Sequence, residues 1–321
     1  MLQIRDLVVR AGDSTLVDGL SLDLPHGSRL GLVGESGSGK SLTLLAVLGL
    51  LAEGLHAEGS ILLDGVEILG RPERELAALR GRRIGLVLQD PGTALNPLRR
   101  VGRQIMEPLR RHRLADRATA ARRAIDLAER VGLPNPASIV TRYPHELSGG
   151  QRQRVQIAIA IAAEPAILLA DEPTTALDAS VQAGILDLLE ELRAERGMST
   201  IFVTHDLAVL RRAADDGIVL RAGRVVESAP VSELLSAPQS DAAQELLAAA
   251  RATAWPEPEA HGDAPVSGLS APESPAPQAS ASEAFAPETP VPKPSVPKPS
   301  VPKPSVAPPE TPPAAPREDA P

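Results

Sequence analysis

One octapeptide constrains this chain more than any other: Gly34-Glu35-Ser36-Gly37-Ser38-Gly39-Lys40-Ser41. Before it, Leu30-Gly31-Leu32-Val33 reads as a short buried strand. After it, Ser41 to Leu51 reads as a helix. Strand, glycine loop and helix in that order are the context a phosphate-binding turn requires, and they imply an α/β fold. The N–H groups of such a loop converge on phosphate oxygens, and the positive end of the following helix adds to the attraction. Lys40 is expected to reach the β and γ phosphates, and the Ser41 hydroxyl to take a Mg²⁺ position. Leu42 completes the run assigned to nucleotide contact. The loop alone establishes only that some nucleoside triphosphate binds.

Lysine usage agrees with that assignment. Lys40 is the only lysine before Lys293, and apart from histidine every other basic residue in between is arginine. Proline divides the chain. Of 32 prolines, 20 lie from Pro256 onward. We expect a globular unit over 1–252 and a disordered tail over 253–321 in which Pro, Ala, Ser and Glu dominate. The tail carries three tandem copies of Val-Pro-Lys-Pro-Ser, from Val291 to Ser305. Such a segment cannot bury enough apolar surface to offset its ordering entropy. Its prolines favour extended polyproline II, either as a solubilising tail or as a docking ligand. The tail holds nine acids and four bases, so it supplies −5 of the formal −8. The remainder is only mildly acidic, which does not favour nucleic acid as a partner.

The chain has no cysteine, which excludes disulfides and thiolate metal sites and fits a reducing compartment. Arg5 and Asp6 interrupt the N-terminus, so no signal peptide is expected. The longest apolar stretch, Leu42 to Ala52, falls short of the roughly 20 residues that cross a bilayer.

The pattern then sorts into elements. Leu2-Gln3-Ile4, Leu7-Val8-Val9 and Leu20 to Leu24 read as antiparallel strands. Asp64-Gly65 between Ile61-Leu62-Leu63 and Val66-Glu67-Ile68 is a hairpin signal. Ile84 to Leu88, Ile167 to Ala170 and Thr200 to Thr204 read as buried strands, with shorter ones at Gly217–Leu220 and Val225-Val226. Residues 98–163 are expected to form a helical insertion, rich in Arg and Ala over 98–140, in which Gln151-Arg152-Gln153-Arg154 opens a helix that continues over Val155 to Ala163. Ser180 is expected to cap a helix running to about Arg196. Ser232 to Leu235 and Ala242 to Ala250 read as closing helices.

Leu147-Ser148-Gly149-Gly150-Gln151 precedes the Ile167 strand, which leads into Asp171-Glu172 and then Pro173-Thr174-Thr175-Ala176-Leu177-Asp178. With the phosphate loop, these segments closely resemble the ATP-binding subunit of an ABC transporter over residues 1 to about 250. The resemblance implies a P-loop NTPase (ABC ATPase) core with an antiparallel β subdomain and a helical insertion. It implies ATP and Mg²⁺ as cofactors. Asp171 would hold Mg²⁺ through water, and Glu172 would be the general base. Gln89 would contact Mg²⁺ and water, and His205 the γ-phosphate. Ser148, Gly149, Gly150 and Gln151 would act on nucleotide held by a second copy of the domain, with Asp178 crossing that interface.

Gln89 to Pro97 and Tyr143-Pro144-His145-Glu146-Leu147 further resemble the peptide and nickel uptake subgroup. So does the closing stretch from Ala237-Pro238-Gln239 to Leu246-Leu247. The resemblance implies integral membrane permease subunits as partners and a second ATP-binding domain, identical or homologous. It implies an extracytoplasmic solute-binding protein as an indirect partner, and a place on the cytoplasmic face of the plasma membrane. The solute would be a peptide, or nickel or another small solute. Export, or a soluble ABC ATPase acting on DNA or ribosomes, would use the same chemistry. Two departures stand out. Many members place an aromatic ring on adenine just after the first strand, where this chain has Val9-Arg10-Ala11-Gly12, leaving Arg10 to stack instead. Many members of the subgroup carry a cysteine cluster near the C-terminus; with none here, no iron–sulfur site is expected.

Overall fold

The computed structural model describes residues 1–174 and 177–253, with side chains through 250. Thr175, Ala176 and, apart from Thr253, the tail expected over 253–321 lie outside the described residues.

Strands β1 (Leu2–Ala11) and β2 (Ser14–Leu24) form the first hairpin. Leu2, Ile4, Leu7 and Val9 face inward, and the residues between them face out. β3 (Arg29–Gly34) leads through the glycine loop into α1 (Lys40–Leu48). This helix stops short of the expected Leu51. Gly49 adopts a left-handed conformation (φ 60°), and the N–H groups of Gly49 and Leu50 close on the carbonyls of Ala46 and Leu45. β4 (Leu55–Leu63) and β5 (Val66–Glu67) turn at Asp64-Gly65, both at positive φ as a two-residue hairpin demands. The four strands make one antiparallel sheet in the order β2-β1-β4-β5.

α2 (Glu73–Leu79) connects to β6 (Ile84–Val87), and α3 (Pro91–Ala94) follows. α4 (Val101–Arg111), α5 (Arg117–Arg130) and α6 (Pro136–Ile139) occupy the expected insertion, which ends in α7 (Gly149–Ile161). α7 begins two residues before the expected Gln151, because a capping box starts it: Ser148 Oγ accepts from Gln151 N, and Gln151 Oε1 accepts from Ser148 N. β7 (Ile167–Asp171), α8 (Ala179–Arg196), β8 (Ser199–Thr204), α9 (Leu207–Ala213), β9 (Asp216–Arg221), β10 (Arg224–Pro230), α10 (Val231–Ser236) and α11 (Asp241–Thr253) complete the described chain. α8 is capped by Asp178, whose carboxylate accepts from Val181 N, and not by the expected Ser180, whose hydroxyl donates to Asp178.

The second sheet has the order β10-β9-β3-β8-β7-β6. β3, β6, β7, β8 and β9 run parallel, and only β10 is antiparallel. Buried on both faces, its five parallel strands are almost continuously apolar, whereas β10 is exposed at alternate residues. Their alternate residues enter different cores. Leu30, Leu32, Ile167, Leu169, Ile201 and Val203 pack with α1 and the antiparallel sheet. Leu168, Ala170 and Phe202 pack with the helical insertion and α8. A third cluster joins Val33 and Val219 to α9, α10 and α11. Among the described residues no helix is long and apolar enough to cross a membrane.

The capping assignment can be checked by urea denaturation. Asp178→Ala is expected to lower the urea midpoint, and Ser180→Ala to lower it by less than half as much.

Candidate active site

The glycine loop wraps the end of β3 and the start of α1. A side chain could not replace hydrogen at Gly34: its φ is 153°, and an added Cβ would lie 2.2 Å from the Leu220 carbonyl oxygen. Lys40 is only 5% exposed. Its Nζ donates to the carbonyls of Gly34 (2.8 Å) and Glu35 (2.7 Å), so the ammonium ties the loop into a ring. Burial pulls the Lys40 pKa down, and the carboxylates of Glu172 and Asp171 push it back up. Ser41 Oγ donates to Asp171 Oδ1 at 2.9 Å. Burial raises the Asp171 pKa above the usual carboxylate value, an effect the Ser41 hydrogen bond opposes.

Strand register assembles the rest. Gln89 lies two residues past Val87, whose partner in β7 is Ala170, and Glu172 lies two past Ala170. His205 lies two past Val203, whose partner in β7 is Asp171. The three side chains therefore meet at the carboxyl ends of three adjacent parallel strands, where open α/β sheets bind ligands. Gln89 Nε2 donates to Glu172 Oε2 at 3.1 Å. His205 Nδ1 stands 3.1 Å from Glu172 Oε1. Glu172 itself has φ 44°, an uncommon conformation for a residue with a side chain, and its N–H donates to the Val203 carbonyl. Thr204 Oγ1 accepts from Asp206 N, and the Asp206 carboxylate caps α9, fixing the turn that carries His205.

These residues line one cavity of about 530 Å³: Glu35 through Leu42, Gln89, Glu172 and His205. Every expected residue of the phosphate loop from Glu35 on is there, and Gly34 and Asp171 form its floor through Lys40 and Ser41. Arg10 is not in this lining. It is exposed, alternates with buried Val9, pairs across the sheet with His56, and donates to Thr15 Oγ1. The pleat turns Arg10 to the face opposite buried Val9.

Ser148, Gly149, Gly150, Gln151 and Asp178 are brought together elsewhere, in a second cavity of about 360 Å³ that also includes Arg154 and Val181. None of its lining residues belongs to the first cavity. Gly150 has a local reason to be glycine, since an added Cβ would lie 2.7 Å from Val181 Cγ1 on α8. A third cavity, about 400 Å³, is bounded by Gln89 to Gly92, Gly149, Arg152, Gln153 and Leu177, sharing Gln89 with the first and Gly149 and Leu177 with the second.

A family model described as ABC transporter matches residues 17–175. The oligopeptide transport ATP-binding protein OppD of Bacillus subtilis is 42% identical over 254 residues, covering 77% of this chain and 71% of that protein. OppD of Lactococcus lactis subsp. cremoris is 46% identical over 229 residues, covering 71% and 68%. The peptidoglycan transport ATP-binding protein YejF of Agrobacterium fabrum is 45% identical over 278 residues; that is 85% of this chain but 49% of YejF, so the chain spans about half the length of that relative. Among solved structures, a dimeric post-hydrolysis state of the ATP-binding cassette MJ0796 bound to ADP and Pi superposes with a TM-score of 0.65 at 29% identity, covering 72% of this chain and 99% of that one. The span matched by the family model contains the phosphate loop, Gln89, the Ser148 turn and Glu172, and the chain belongs to the ABC transporter family, as one of its ATPases.

Proposed function

We propose that this chain is the ATP-hydrolysing subunit of a peptide importer and that it works as a pair of facing cassettes. The observation that carries the pairing is the split site. The phosphate loop, Gln89, Glu172 and His205 line one cavity, and Ser148, Gly149, Gly150, Gln151 and Asp178 line another. A second cassette, identical or homologous, would bring its Ser148 turn onto the nucleotide held by the first. The Ser148 turn is suited to that contact, being exposed at the N-terminus of a 13-residue helix, where backbone N–H groups favour an anion. The names of the OppD relatives support peptide as the solute.

In each composite site, Lys40 and the loop N–H groups hold the β and γ phosphates. Glu172 takes the proton of the attacking water. Gln89 and His205, each on one carboxylate oxygen, aim Glu172. The site suits Mg²⁺: the Ser41 hydroxyl and the buried Asp171 carboxylate give hard oxygen donors 2.9 Å apart. Among the described residues no cluster of three or more His, Cys, Asp or Glu could hold a metal alone, so phosphate and water oxygens would complete the shell, with Gln89 at its edge. Mg²⁺ bound there would neutralise charge developing on the phosphates. Closure of the pair on ATP and reopening after hydrolysis would drive permeases in the membrane, with this subunit on the cytoplasmic face.

Glu172→Gln tests the chemistry. ATP binding is expected to persist, while steady-state hydrolysis falls by at least about a hundredfold, the scale of general-base catalysis. With Mg-ATP the variant is expected to double its mass by light scattering. Pulled from native membranes in that state, it is expected to bring two polytopic permeases; ribosomes or DNA-repair proteins with no membrane chain would end the importer reading.

Ser148→Arg tests the division of labour. Its ATP affinity as a single chain is expected to stay within twofold of the parent, with hydrolysis and ATP-dependent pairing both lost. A tenfold loss of single-chain affinity would instead put Ser148 on its own chain's nucleotide.

A further inference from the structure

Gln156 lies in the middle of α7, 5% exposed, on a helix whose Val155, Ile157 and Ala158 are fully buried. An amide in such surroundings is costly unless both of its ends are hydrogen-bonded. Gln156 meets that demand through main chain only. Oriented by its partners, its side-chain nitrogen donates to the Leu88 carbonyl (3.0 Å) and its oxygen accepts from Leu88 N (2.8 Å). The pair has the form of one step of a β ladder. β6 is the edge of the six-stranded sheet, with β7 on one side and no strand on the other among the described residues. Gln156 therefore supplies, from a helix, the partner that a neighbouring strand would have given at Leu88.

The helix is close enough to do this because of Gly85. An added Cβ there would lie 2.6 Å from the Ala160 carbonyl oxygen, so the α7 backbone rests directly on β6. Ala160 is one turn beyond Gln156. One helical face thus holds this segment at two levels, at Gly85 in β6 by packing and at Leu88, just past its end, by hydrogen bonds.

Leu88 immediately precedes Gln89, whose Nε2 holds Glu172. The N-terminus of α7 carries Ser148, which in the reading above contacts the opposite cassette's nucleotide. We propose that Gln156 is a positioning residue that links these two places. It fixes the main chain at Leu88 to α7, so that movement of the Ser148 turn is passed to Gln89 and from Gln89 to the general base. One nucleotide site is thereby told whether the other is engaged. The proposal rests on the composite-site reading for its purpose, but the clamp itself stands on the hydrogen bonds alone.

The test uses the full chain with Gln156→Met, which keeps length and apolar volume and removes both hydrogen bonds, and Gln156→Glu, which keeps an acceptor for Leu88 N and loses the donor. Hydrogen exchange over residues 84–92 is expected to speed at least tenfold in Gln156→Met, with β7 and β8 unchanged. ATPase kcat is expected to fall at least tenfold, with KM and ATP affinity within twofold of the parent. Gln156→Glu is expected to fall between the two. Because the effect runs through Gln89, adding Gln156→Met to Gln89→Ala is expected to lower kcat no further. A kcat within twofold of the parent in Gln156→Met overturns the proposal, as does a loss that multiplies with Gln89→Ala. A fall in kcat matched by lost ATP affinity and a lowered Tm would reduce Gln156 to a packing residue. Full hydrolysis by Glu172→Gln would instead overturn the reading of the site, leaving the exchange result to decide the clamp.

Discussion

A buried ammonium sets the terms for this site. Lys40 is held inside the loop by two carbonyls, with the carboxylates of Asp171 and Glu172 contributing at longer range. A charge kept out of water at that depth requires fixed dipoles around it. The loop provides them only by giving up side chains at Gly34, where the Leu220 carbonyl occupies the space of a Cβ. That carbonyl belongs to β9, and β9 pairs with β3. The shape of the phosphate cradle therefore depends on a strand nearly two hundred residues later in the chain.

Much of this could be read from sequence because the signals are local. The glycine octapeptide sits between a strand and a helix, Asp64-Gly65 turns a hairpin, and uninterrupted apolar runs mark strands buried on both faces. Sequence and structure part where two local signals compete. Leu50 and Leu51 continue an apolar pattern, but Gly49 ends the helix before them. Ser180 and Asp178 are both good caps, and only the backbone geometry selects the aspartate. α2 and α9 are short helices with one or three buried residues each, too few to impose a period that can be read in advance. Gln156 carried no signal at all. Within the helix it is one polar residue among many, and its meaning depends on a backbone 68 positions away.

The candidate residues followed the same rule. Residues contiguous in sequence, such as the loop and the Ser148 turn, were legible as units. Their separation into two cavities was visible only by resemblance, because it depends on how the helical insertion and α8 pack beside the sheet. The direction of Arg10 needed the pleat of β1 and a knowledge of which face is buried. Glu172 combines a left-handed backbone with contacts from two neighbouring strand ends. An uncommon conformation of that kind persists where its surroundings over-determine it.

The convergence of Gln89, Glu172 and His205 on three strand ends has a consequence for how the sheet must fold. A one-residue slip of β7 would exchange the side chains of its two cores, putting Leu168 and Ala170 where Ile167 and Leu169 pack, and the close packing of both would reject it. A two-residue slip would not: every apolar side chain would regain a buried face, yet Glu172 would travel about 7 Å along the strand and lose both partners. Hydrophobic patterning cannot police that error. The specification falls to the polar ends of the strand. Ala166 and Ile167 both donate to the Arg83 carbonyl, Ser199 donates to the Ala166 carbonyl, and Glu172 N donates to Val203. Fidelity of catalysis here is thus decided at the edges of β7, by backbone contacts that add little to the core but distinguish two otherwise equally greasy alignments.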